Sequence, residues 1–319
     1  MILGFDVGGS KFSVCLGTER AKILACLRAP ADVVRGSKDA LERLKAMGHD
    51  ILCRENVSIR QIQAIGIAAP GPIDAKTGKM IYQPNAPGWS RVPLRRTIAR
   101  EFRRPTFLEN DANACAVAEW KFGAGHSKKD LTLAYLTFST GIGAGLIING
   151  KLHRGATGDA GEVGHHVLDS NGPLCGCGHR GCFEAFCSGS GIARKIRESV
   201  KTNPRSLLLT LADGDPKNLR VEILLAAAKR HDKLALEIFD RVGFRAAQGI
   251  GNLINILNPD VIALGTIPTH CGKFFFTPLR KYLPQFAWPR PLVACRIVPS
   301  ALGDRIGNLG ALSAAILHL

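Results

Sequence analysis

Apolar residues in the first third of the chain form short continuous runs, which alternate with glycine turns and with segments of helical spacing. A short apolar run closed by glycine is typical of a buried strand, whereas apolar residues three or four positions apart are typical of a helix. The strands predicted in this way span 2–9, 11–17, 22–28, 63–69 and 106–110, and the helices span 37–47 (with Ser37 as N-cap), 93–102 and a segment that starts at Asp111. This alternation of elements predicts an α/β fold.

The same arrangement partly returns in the middle of the chain. A strand at 131–139, a glycine turn at Thr140-Gly141 and a returning strand form a counterpart, over 131–150, to the segment 2–17. The remaining predicted helices lie at 189–200, 219–230, 233–255, 274–283 and from 305, and the remaining strands lie at 260–265 and 293–298. The partial duplication indicates two related α/β domains, with a boundary near Asn110 and Asp111.

Length and composition are those of a globular protein. At 319 residues, 46% of them hydrophobic, the chain has room for two well-filled cores. No apolar run approaches the roughly 18 residues that a membrane span requires, and Met1 leads directly into a strand pattern. We therefore expect no membrane partner and no signal peptide. The ten cysteines show no disulfide framework spacing, which favours a reducing, cytoplasmic location.

The net charge of +16 is the strongest compositional signal, and it would suit a nucleic acid or another polyanion. Part of it falls on a basic run that consists of Arg91, Arg95, Arg96, Arg100, Arg103 and Arg104. A solvated helix face is the more common reason for such a run. Aromatic residues make up only 6% of the chain and few of them interleave with the run, which argues against binding of single-stranded nucleic acid.

Four side chains of metal-binding type are concentrated within eighteen residues. His165, Cys175, Cys177 and Cys182 combine a C-x-C-x4-C spacing with a histidine ten residues before the first cysteine. Three thiolates and one imidazole are the donor set of a closed tetrahedral Zn²⁺ site, and the intervening glycines permit tight loops. Unpaired core cysteines or a redox pair are the alternatives, but this spacing is a poor pattern for a core.

Carboxylates flank this predicted zinc knuckle. Glu162 lies three residues before His165, and Glu184 lies two residues after Cys182. Because carboxylates repel phosphates, the knuckle is expected to shape an acidic pocket and not a nucleic-acid surface.

Three glycine turns follow apolar strands, and they suggest a site for phosphates. They are Gly8-Gly9-Ser10-Lys11, Thr140-Gly141-Ile142-Gly143-Ala144-Gly145 and Gly265-Thr266. Backbone N–H groups in such turns approach anions closely, and hydroxyls and Lys11 add donors. The second turn leads into a strand, so it is not a dinucleotide fingerprint, and no G-x4-GK[ST] loop occurs. The turns therefore predict a nucleotide whose phosphates are held between two domains.

Polar residues at strand ends supply candidate chemistry. Asp6, beside the first turn, either holds Mg²⁺ through water or caps the turn. Asn110 and Asp111 lie between a strand end and a helix start, where they form either an ordinary N-cap or a hydroxyl binder and a general base. A helix N-terminus would keep Asp111 ionised and able to accept a proton from an alcohol. One such carboxylate suffices for phosphoryl transfer, which depends mostly on positioning and charge stabilisation.

With these motifs the sequence resembles the ROK family of sugar kinases and sugar-responsive repressors, and most of all its bacterial glucokinase branch. The matching stretches are FDVGGSK, GIAAPGPID, PNAPGW, ENDANACAVAEW, STGIGAG, GEVGHH, CGCGHRGCFEAFCSG, PDVIALG and LGDRIGNLGA, which span nearly the whole chain. The resemblance implies an actin/hexokinase-like fold, a duplicated ribonuclease H-like α/β fold with a zinc-binding knuckle, whose two domains close on a hexose and MgATP. The smaller domain would comprise 1–110 and 304–319, and the larger domain 111–303.

Matched position by position, the resemblance implies a role for each motif residue. Asp111 would deprotonate a sugar hydroxyl, typically the 6-hydroxyl. The sugar-binding residues would be Gly71, Asn85, Asn110, Asp111, Glu162, His165 and Glu184, and the phosphate- and adenosine-binding residues would be Asp6, Gly8, Gly9, Ser10, Lys11, Thr140, Gly141 and Gly265. His165 would bind zinc with one ring nitrogen, together with Cys175, Cys177 and Cys182, and would face the sugar with the other.

Two turns depart from the family pattern. FSTGIGAG has an alanine where the family usually has glycine and lacks a Leu-Gly lead-in, and LGTIP lacks the usual second glycine. Thr266 would then crowd the adenine side and lower the affinity for ATP, so polyphosphate and ADP remain alternative phosphoryl donors.

The leading hypothesis is an ATP-dependent kinase that phosphorylates the 6-hydroxyl of glucose, with N-acetylglucosamine, N-acetylmannosamine and mannose as lesser options. The alternative is a sugar-binding regulator of the ROK type. Family repressors carry a helix-turn-helix domain ahead of the first glycine turn, and because Asp6 is only the sixth residue we expect no such domain and no nucleic-acid partner. The habit of the family implies a homodimer or homotetramer.

Overall fold

The computed structural model describes residues 1–74, 77–81, 88–126, 128 and 130–319. The first elements are β1 (Ile2–Val7), β2 (Lys11–Gly17), β3 (Ile23–Pro30), α1 (Gly36–Arg54), β4 (Ala64–Ala69), β5 (Ile73–Asp74), β6 (Lys79–Met80), α2 (Leu94–Phe102), β7 (Thr106–Asn110) and α3 (Asp111–Phe122). The later elements are β8 (Leu133–Phe138), β9 (Ile142–Ile148), β10 (Lys151–His153), α4 (Phe183–Cys187), α5 (Gly189–Lys201), α6 (Leu207–Leu211), α7 (Val221–Lys229), α8 (Lys233–Leu257), β11 (Val261–Thr266), α9 (Ile267–Cys271), α10 (Lys273–Tyr282), α11 (Pro289–Ala294), β12 (Arg296–Pro299) and α12 (Ile306–Ile316).

The first sheet has the strand order β3-β2-β1-β4-β7. β1 pairs antiparallel with β2 and parallel with β4, and β4 pairs parallel with β7. In this register Asp6 lies opposite Ala68, and Ala68 lies opposite Glu109. The carboxyl ends of the three parallel strands therefore lie together at one edge of the sheet.

Helices cover both faces of this sheet, which explains why β1 and β4 are continuous apolar runs. On one face α12 packs so closely that a Cβ at Gly66 would lie 2.0 Å from the Ala311 carbonyl oxygen. On the other face Phe5 of β1, Leu44 of α1 and Phe102 of α2 belong to one buried cluster. The glycine in β4 is thus required by the close approach of a helix.

The second sheet has the strand order β10-β9-β8-β11-β12. β11 pairs parallel with both β8 and β12, and β10 pairs antiparallel with β9. The order repeats that of the first sheet, strand by strand, with an antiparallel pair on one side and three parallel strands on the other. This repetition confirms the duplicated α/β fold that the sequence predicts.

The chain divides into two compact units. Unit 1 comprises Met1–Asp130, Gly145–Gly161 and Asp304–Leu319, and unit 2 comprises Leu131–Ala144 and Glu162–Gly303. Unit 1 thus contains α3 and β10, and β9 passes from one unit into the other. The predicted domain limits at 110 and 303 stay a prediction.

One predicted helix has different ends in the structure. α1 continues to Arg54 instead of ending at Met47, and its N-cap is Arg35 instead of Ser37. Gly48 lies within the helix and does not end it. A Cβ at this position would come within 2.5 Å of an aromatic ring packed on the helix, which explains why the residue is glycine. This glycine serves packing and not a turn.

One predicted strand is shorter than expected. The strand predicted at 293–298 begins only at Arg296, because the preceding residues form the short helix α11. Pro289 is the first residue of this helix, a position where the fixed φ of proline favours a helix start.

Within the described ranges no helix has the length and apolar character needed to cross a bilayer.

Candidate active site

The first glycine turn joins β1 to β2. The Gly8 N–H donates to the Lys11 carbonyl at 3.1 Å, which closes the hairpin, and the Ser10 carbonyl accepts a backbone hydrogen bond at 3.0 Å. A Cβ at Gly8 would lie 2.9 Å from the Lys11 oxygen, whereas a Cβ at Gly9 would meet no atom within 4 Å. Gly9, Ser10 and Lys11 are exposed. The turn is therefore anchored at its base and open at its tip, as a phosphate loop requires.

Asp6 lies in β1, two residues before this turn. Its carboxylate faces the first turn of α12, where a Cβ at Gly307 would lie 2.3 Å from Oδ2. Burial raises the pKa of Asp6 to about 6, and the nearby charges of Lys11 and Arg28 offset only part of that rise. A carboxylate with a pKa raised by its surroundings, beside an open glycine turn, is typical of a functional site. Its oxygen donors also suit Mg²⁺.

The ends of β1, β4 and β7 carry the other predicted residues of unit 1. Gly71 follows β4 and is half-buried, and Asn110 and Asp111 stand at the junction of β7 and α3. Because the three strands are parallel neighbours, the structure brings Asp6, Gly71 and the β7–α3 junction to one sheet edge. Asn85 lies outside the described residues.

Asn110 and Asp111 have different local roles. Asn110 is the N-cap of α3, and its Oδ1 accepts a hydrogen bond from the Asn113 N–H at 3.1 Å. Asp111 is the first residue of the helix, is half-buried, and accepts a hydrogen bond from the Ala112 N–H at 2.7 Å. At this position its carboxylate interacts favourably with the positive end of the helix dipole. Capping is therefore done by Asn110, and the function of Asp111 as a base stays a prediction.

In unit 2 the second glycine turn is tied to the start of α5. The Ser139 N–H donates to the Gly141 carbonyl at 2.9 Å, and the Ser139 carbonyl accepts from the Gly189 N–H at 2.7 Å. The Ser190 hydroxyl donates to the Thr140 carbonyl at 2.8 Å. These bonds fix the backbone of the turn against the start of α5.

Glu184 connects this turn with the knuckle. Its Oε2 accepts a hydrogen bond from the Ile142 N–H at 2.9 Å, and its Oε1 lies 3.6 Å from Cys175 Sγ. A Cβ at Gly141 would come within 2.3 Å of Glu184 Oε2, so the turn needs glycine to admit the carboxylate. The sequence predicts both residues for the site, but it does not predict this contact across 42 positions.

The four predicted metal ligands lie together. The ligand atoms of His165, Cys175, Cys177 and Cys182 all lie within 4.8 Å of one another. Cys177 Sγ lies 3.6 Å from Cys182 Sγ, and His165 Nδ1 lies 3.8 Å from Cys175 Sγ. Zn–S bonds of about 2.3 Å in a tetrahedron place two sulfurs about 3.8 Å apart. The donor set and its spacing fit Zn²⁺.

The two ring nitrogens of His165 face different partners. Nδ1 faces Cys175, whereas Nε2 lies 3.7 Å from Glu162 Oε2. One nitrogen is thus directed to the metal ligands and the other to a predicted sugar-binding carboxylate, and the contact of His165 with the sugar stays a prediction.

The third glycine turn lies next to the second. Thr266 is opposite Phe138 in the parallel pair of β11 and β8, so both turns leave the same sheet edge. Thr266 has φ 59° and ψ −112°, a backbone conformation that side chains rarely adopt. Its Oγ1 accepts a hydrogen bond from the Phe138 N–H at 3.0 Å and also contacts the Phe138 and Gly265 carbonyl oxygens. The threonine that replaces the usual glycine therefore turns its hydroxyl toward β8, and its effect on ATP affinity stays a prediction.

The sequence does not identify the ion pair between Glu109 and Arg154. Glu109 is only 4% exposed and accepts a hydrogen bond from Arg154 at 2.6 Å. A carboxylate at a buried strand position indicates a charged or hydrogen-bonding partner. The partner itself lies 45 residues further on, where no local pattern marks it.

Known proteins match this architecture over its full length. The profile of the ROK family matches residues 2–317. A glucokinase from Thermotoga maritima is 36% identical over 312 residues, which are 98% of this chain and 96% of that protein. A xylose repressor from Caldicellulosiruptor bescii is 30% identical over 99% of this chain and 78% of the repressor. The crystal structure of a ROK family glucokinase from Streptomyces griseus, in complex with glucose and AMPPNP, has a TM-score of 0.85 and 28% identity over 98% of this chain and 97% of that one. The sequence motifs, the duplicated fold and these matches show that the chain belongs to the ROK family.

Proposed function

We propose that the protein is a kinase that transfers the γ-phosphate of MgATP to the 6-hydroxyl of glucose, with Asp111 as general base. The observation that carries this proposal is the position of Asp111, the first residue of α3, directly after β7 and next to the N-cap Asn110. A carboxylate held at the start of a helix is well placed to accept a hydroxyl proton. The Thermotoga maritima relative is a glucokinase, and the Streptomyces griseus structure contains glucose and AMPPNP, which supports the same substrates here.

The other residues would supply binding and charge. Gly71, Asn85, Asn110, Glu162, His165 and Glu184 would bind sugar hydroxyls. Asp6 would hold Mg²⁺ through water, while the turn from Gly8 to Lys11, together with Thr140 and Gly141, would bind phosphate oxygens and Gly265 would adjoin the adenosine. Since phosphoryl transfer depends on positioning and charge stabilisation, this division of roles suffices for the reaction.

We infer that Zn²⁺ is structural. His165, Cys175, Cys177 and Cys182 would occupy all four positions of a tetrahedron and leave none for a substrate. The ion would fix the loop that carries His165 and the helix start that carries Glu184. A cytoplasmic location and a homodimer or homotetramer also remain part of the proposal, the first from the scattered cysteines and the second from family habit.

A hexose panel tests the proposed reaction. ADP release is measured with MgATP and, in turn, glucose, mannose, N-acetylglucosamine and N-acetylmannosamine. We expect sugar-dependent ADP release with glucose as the best substrate. Formation of sugar phosphate with polyphosphate, but not with MgATP, would correct the donor, and ADP release with an N-acetyl sugar alone would correct the substrate.

A sugar-binding regulator is the second candidate, and the similarity to the xylose repressor favours it. Such a protein would bind a sugar without turnover. Saturable glucose binding by calorimetry, combined with no ADP release from any sugar in the panel, would replace the kinase proposal by this one.

A further inference from the structure

An ion pair between the buried Glu109 and the half-buried Arg154 lies next to the turn that carries Asn110 and Asp111. Glu109 directly precedes this turn, and its Oε2 accepts hydrogen bonds from Arg154 Nε at 2.9 Å and from Arg154 Nη2 at 2.6 Å. Glu109 is 4% exposed. A carboxylate so deeply buried needs hydrogen-bonding and charged partners that replace the water it has lost.

The second oxygen of Glu109 holds the turn itself. Oε1 accepts hydrogen bonds from the Asn110 N–H and from Asn113 Nδ2, each at 3.1 Å. Asn113 is 2% exposed, and its own N–H donates to Asn110 Oδ1. The backbone and the side chain of Asn110 are thus both fixed by one polar network, in which the Glu109 carboxylate is the shared acceptor.

Arg154 is itself anchored within unit 1. It follows β10, and its carbonyl accepts a hydrogen bond from the Ala160 N–H at 3.1 Å, which closes the loop between the two residues. Gly155 supports this loop with a φ of 70°. The guanidinium therefore approaches Glu109 from a defined backbone, with two N–H groups directed at one carboxylate oxygen. A lysine could offer charge but not this fork.

We propose that Arg154 and Glu109 are positioning residues for catalysis: through the Asn110 N–H they set the start of α3 and hence the carboxylate of Asp111. The inference rests on the proposed function of Asp111 as the base. Stability alone is a weak reason for such a pair, because ion pairs contribute little net stability whether they are exposed or buried. The bonds of Glu109 instead converge on the one turn where small displacements reduce the rate of transfer.

The test compares Arg154→Met with the control Arg104→Met. Arg104 stands just before the other end of β7, where its Nε donates to the Ile59 carbonyl at 2.8 Å. We expect Arg154→Met to lower kcat at least about 10-fold while the Kd for glucose changes less than about 3-fold. Arg154→Lys should have an intermediate kcat, and Arg104→Met should keep kcat within about 2-fold of the wild type. Equal kcat values for Arg154→Met and Arg104→Met, both measured on folded protein, would overturn the proposal.

Amide hydrogen exchange tests the same claim without any turnover. We expect the Asn110 and Asn113 amides to exchange at least about 10-fold faster in Arg154→Met than in Arg104→Met. Unchanged exchange at both amides would contradict the positioning role even if activity fell. Should Arg154→Met not fold, Arg154→Lys serves for both measurements, with effects of the same sign. If the wild type phosphorylates no hexose, the proposed function fails, whereas exchange still decides whether the pair holds the turn.

Discussion

The charged form of Asp6 is disfavoured by its surroundings in the folded protein. Its pKa rises from 3.8 to about 6 because burial penalises the carboxylate, and Lys11 and Arg28 compensate only in part. The folded protein therefore binds this proton more tightly than the unfolded chain does. The resulting destabilisation is absent below a pH of about 3.8, develops between about 3.8 and 6, and is complete above about 6.

We predict that Asp6→Asn stabilises the protein while it lowers activity. At pH 8 the variant should gain about 1–3 kcal/mol in the free energy of unfolding, because an uncharged amide replaces the buried ion. The gain should shrink as the pH approaches 4, and kcat/KM for MgATP should fall if Asp6 binds Mg²⁺ through water. Urea unfolding at pH 8 and pH 5 measures the first effect.

Asp50→Asn is the control for this substitution. Asp50 lies on α1 in an exposed ion pair with Arg54 at 2.7 Å, where solvent weakens charge effects, so its loss should change stability by less than about 0.5 kcal/mol. An Asp6→Asn protein that is less stable than the wild type at pH 8 would show that the carboxylate contributes more through its contacts than burial removes.

Thr266 permits a second test on a single side chain. Its hydroxyl oxygen accepts a hydrogen bond from the N–H of Phe138, the last residue of β8. We predict that Thr266→Val, which keeps the shape and the strained backbone, loses about 1–3 kcal/mol because that N–H is left without its acceptor. Thr266→Ser keeps the hydroxyl and should stay within about 1 kcal/mol of the wild type. Denaturant unfolding compares the two, and equal stabilities would show that the hydroxyl is not needed.

Among the elements, the zinc knuckle has the most direct relation between sequence and function. Its ligands are close in sequence, so their spacing alone predicts the site, and the structure places the four ligand atoms within 4.8 Å of one another. The connection from Cys175 through Glu184 to Ile142 then relates the metal site to the second glycine turn. Because its four predicted ligands come together at one point, the knuckle is expected to depend on its metal for order.

We predict about one zinc ion per chain, lost on substitution of a single ligand. Cys177→Ser should reduce zinc content below about a tenth of the wild-type value and abolish glucose binding and turnover, because His165 and Glu184 lose their support. Cys53→Ser alters another exposed cysteine, on α1, and should leave all three properties unchanged. Elemental analysis and calorimetry measure the outcomes. Wild-type protein purified without chelator and free of zinc would contradict this account.

The strands and helices with strong local patterns could be predicted from the sequence. The predicted spans of β2 and β7 agree with the structure at both ends, since their apolar runs are closed by glycine, lysine or a helix-capping asparagine. The sequence predicts that α1 ends at Met47, whereas the helix continues past Gly48, which packs against an aromatic ring from α2. Such a contact belongs to tertiary packing and cannot be read from neighbouring residues.

The candidate site divides in the same way. The β7–α3 junction and the zinc ligands are visible as motifs, so their positions could be predicted. The bonds from Glu184 to Ile142 and from Arg154 to Glu109 connect residues 42 and 45 positions apart, and one sequence holds no pattern that pairs them. The sequence thus predicts which residues act and leaves open what orients them.

For the molecule as a whole, the high positive charge does not require a nucleic-acid partner. On α2, Leu94, Ile98 and Phe102 are buried, whereas most of the basic run of the sequence is exposed to solvent. This is the solvated helix face that the sequence suggests as the more common explanation. The positive charge is therefore explained by exposed surface residues, and the proposed function rests on the carboxylates, the glycine turns and the zinc knuckle of the site.

The central claim, that the protein phosphorylates a hexose with Asp111 as base, is tested most directly by Asp111→Asn. Asparagine keeps the size of the side chain and part of its hydrogen bonding, and it is well tolerated at a helix start, but it cannot accept the proton. Asp39→Asn makes the same change in the first turn of α1 and serves as the control.

The measurement is kcat for formation of glucose 6-phosphate from glucose and MgATP, together with the Kd for glucose. We predict that Asp111→Asn lowers kcat by about 10²–10⁴-fold while glucose affinity falls much less, and that Asp39→Asn keeps wild-type kcat. An Asp111→Asn protein with wild-type kcat would show that Asp111 is structural and would contradict the proposed mechanism.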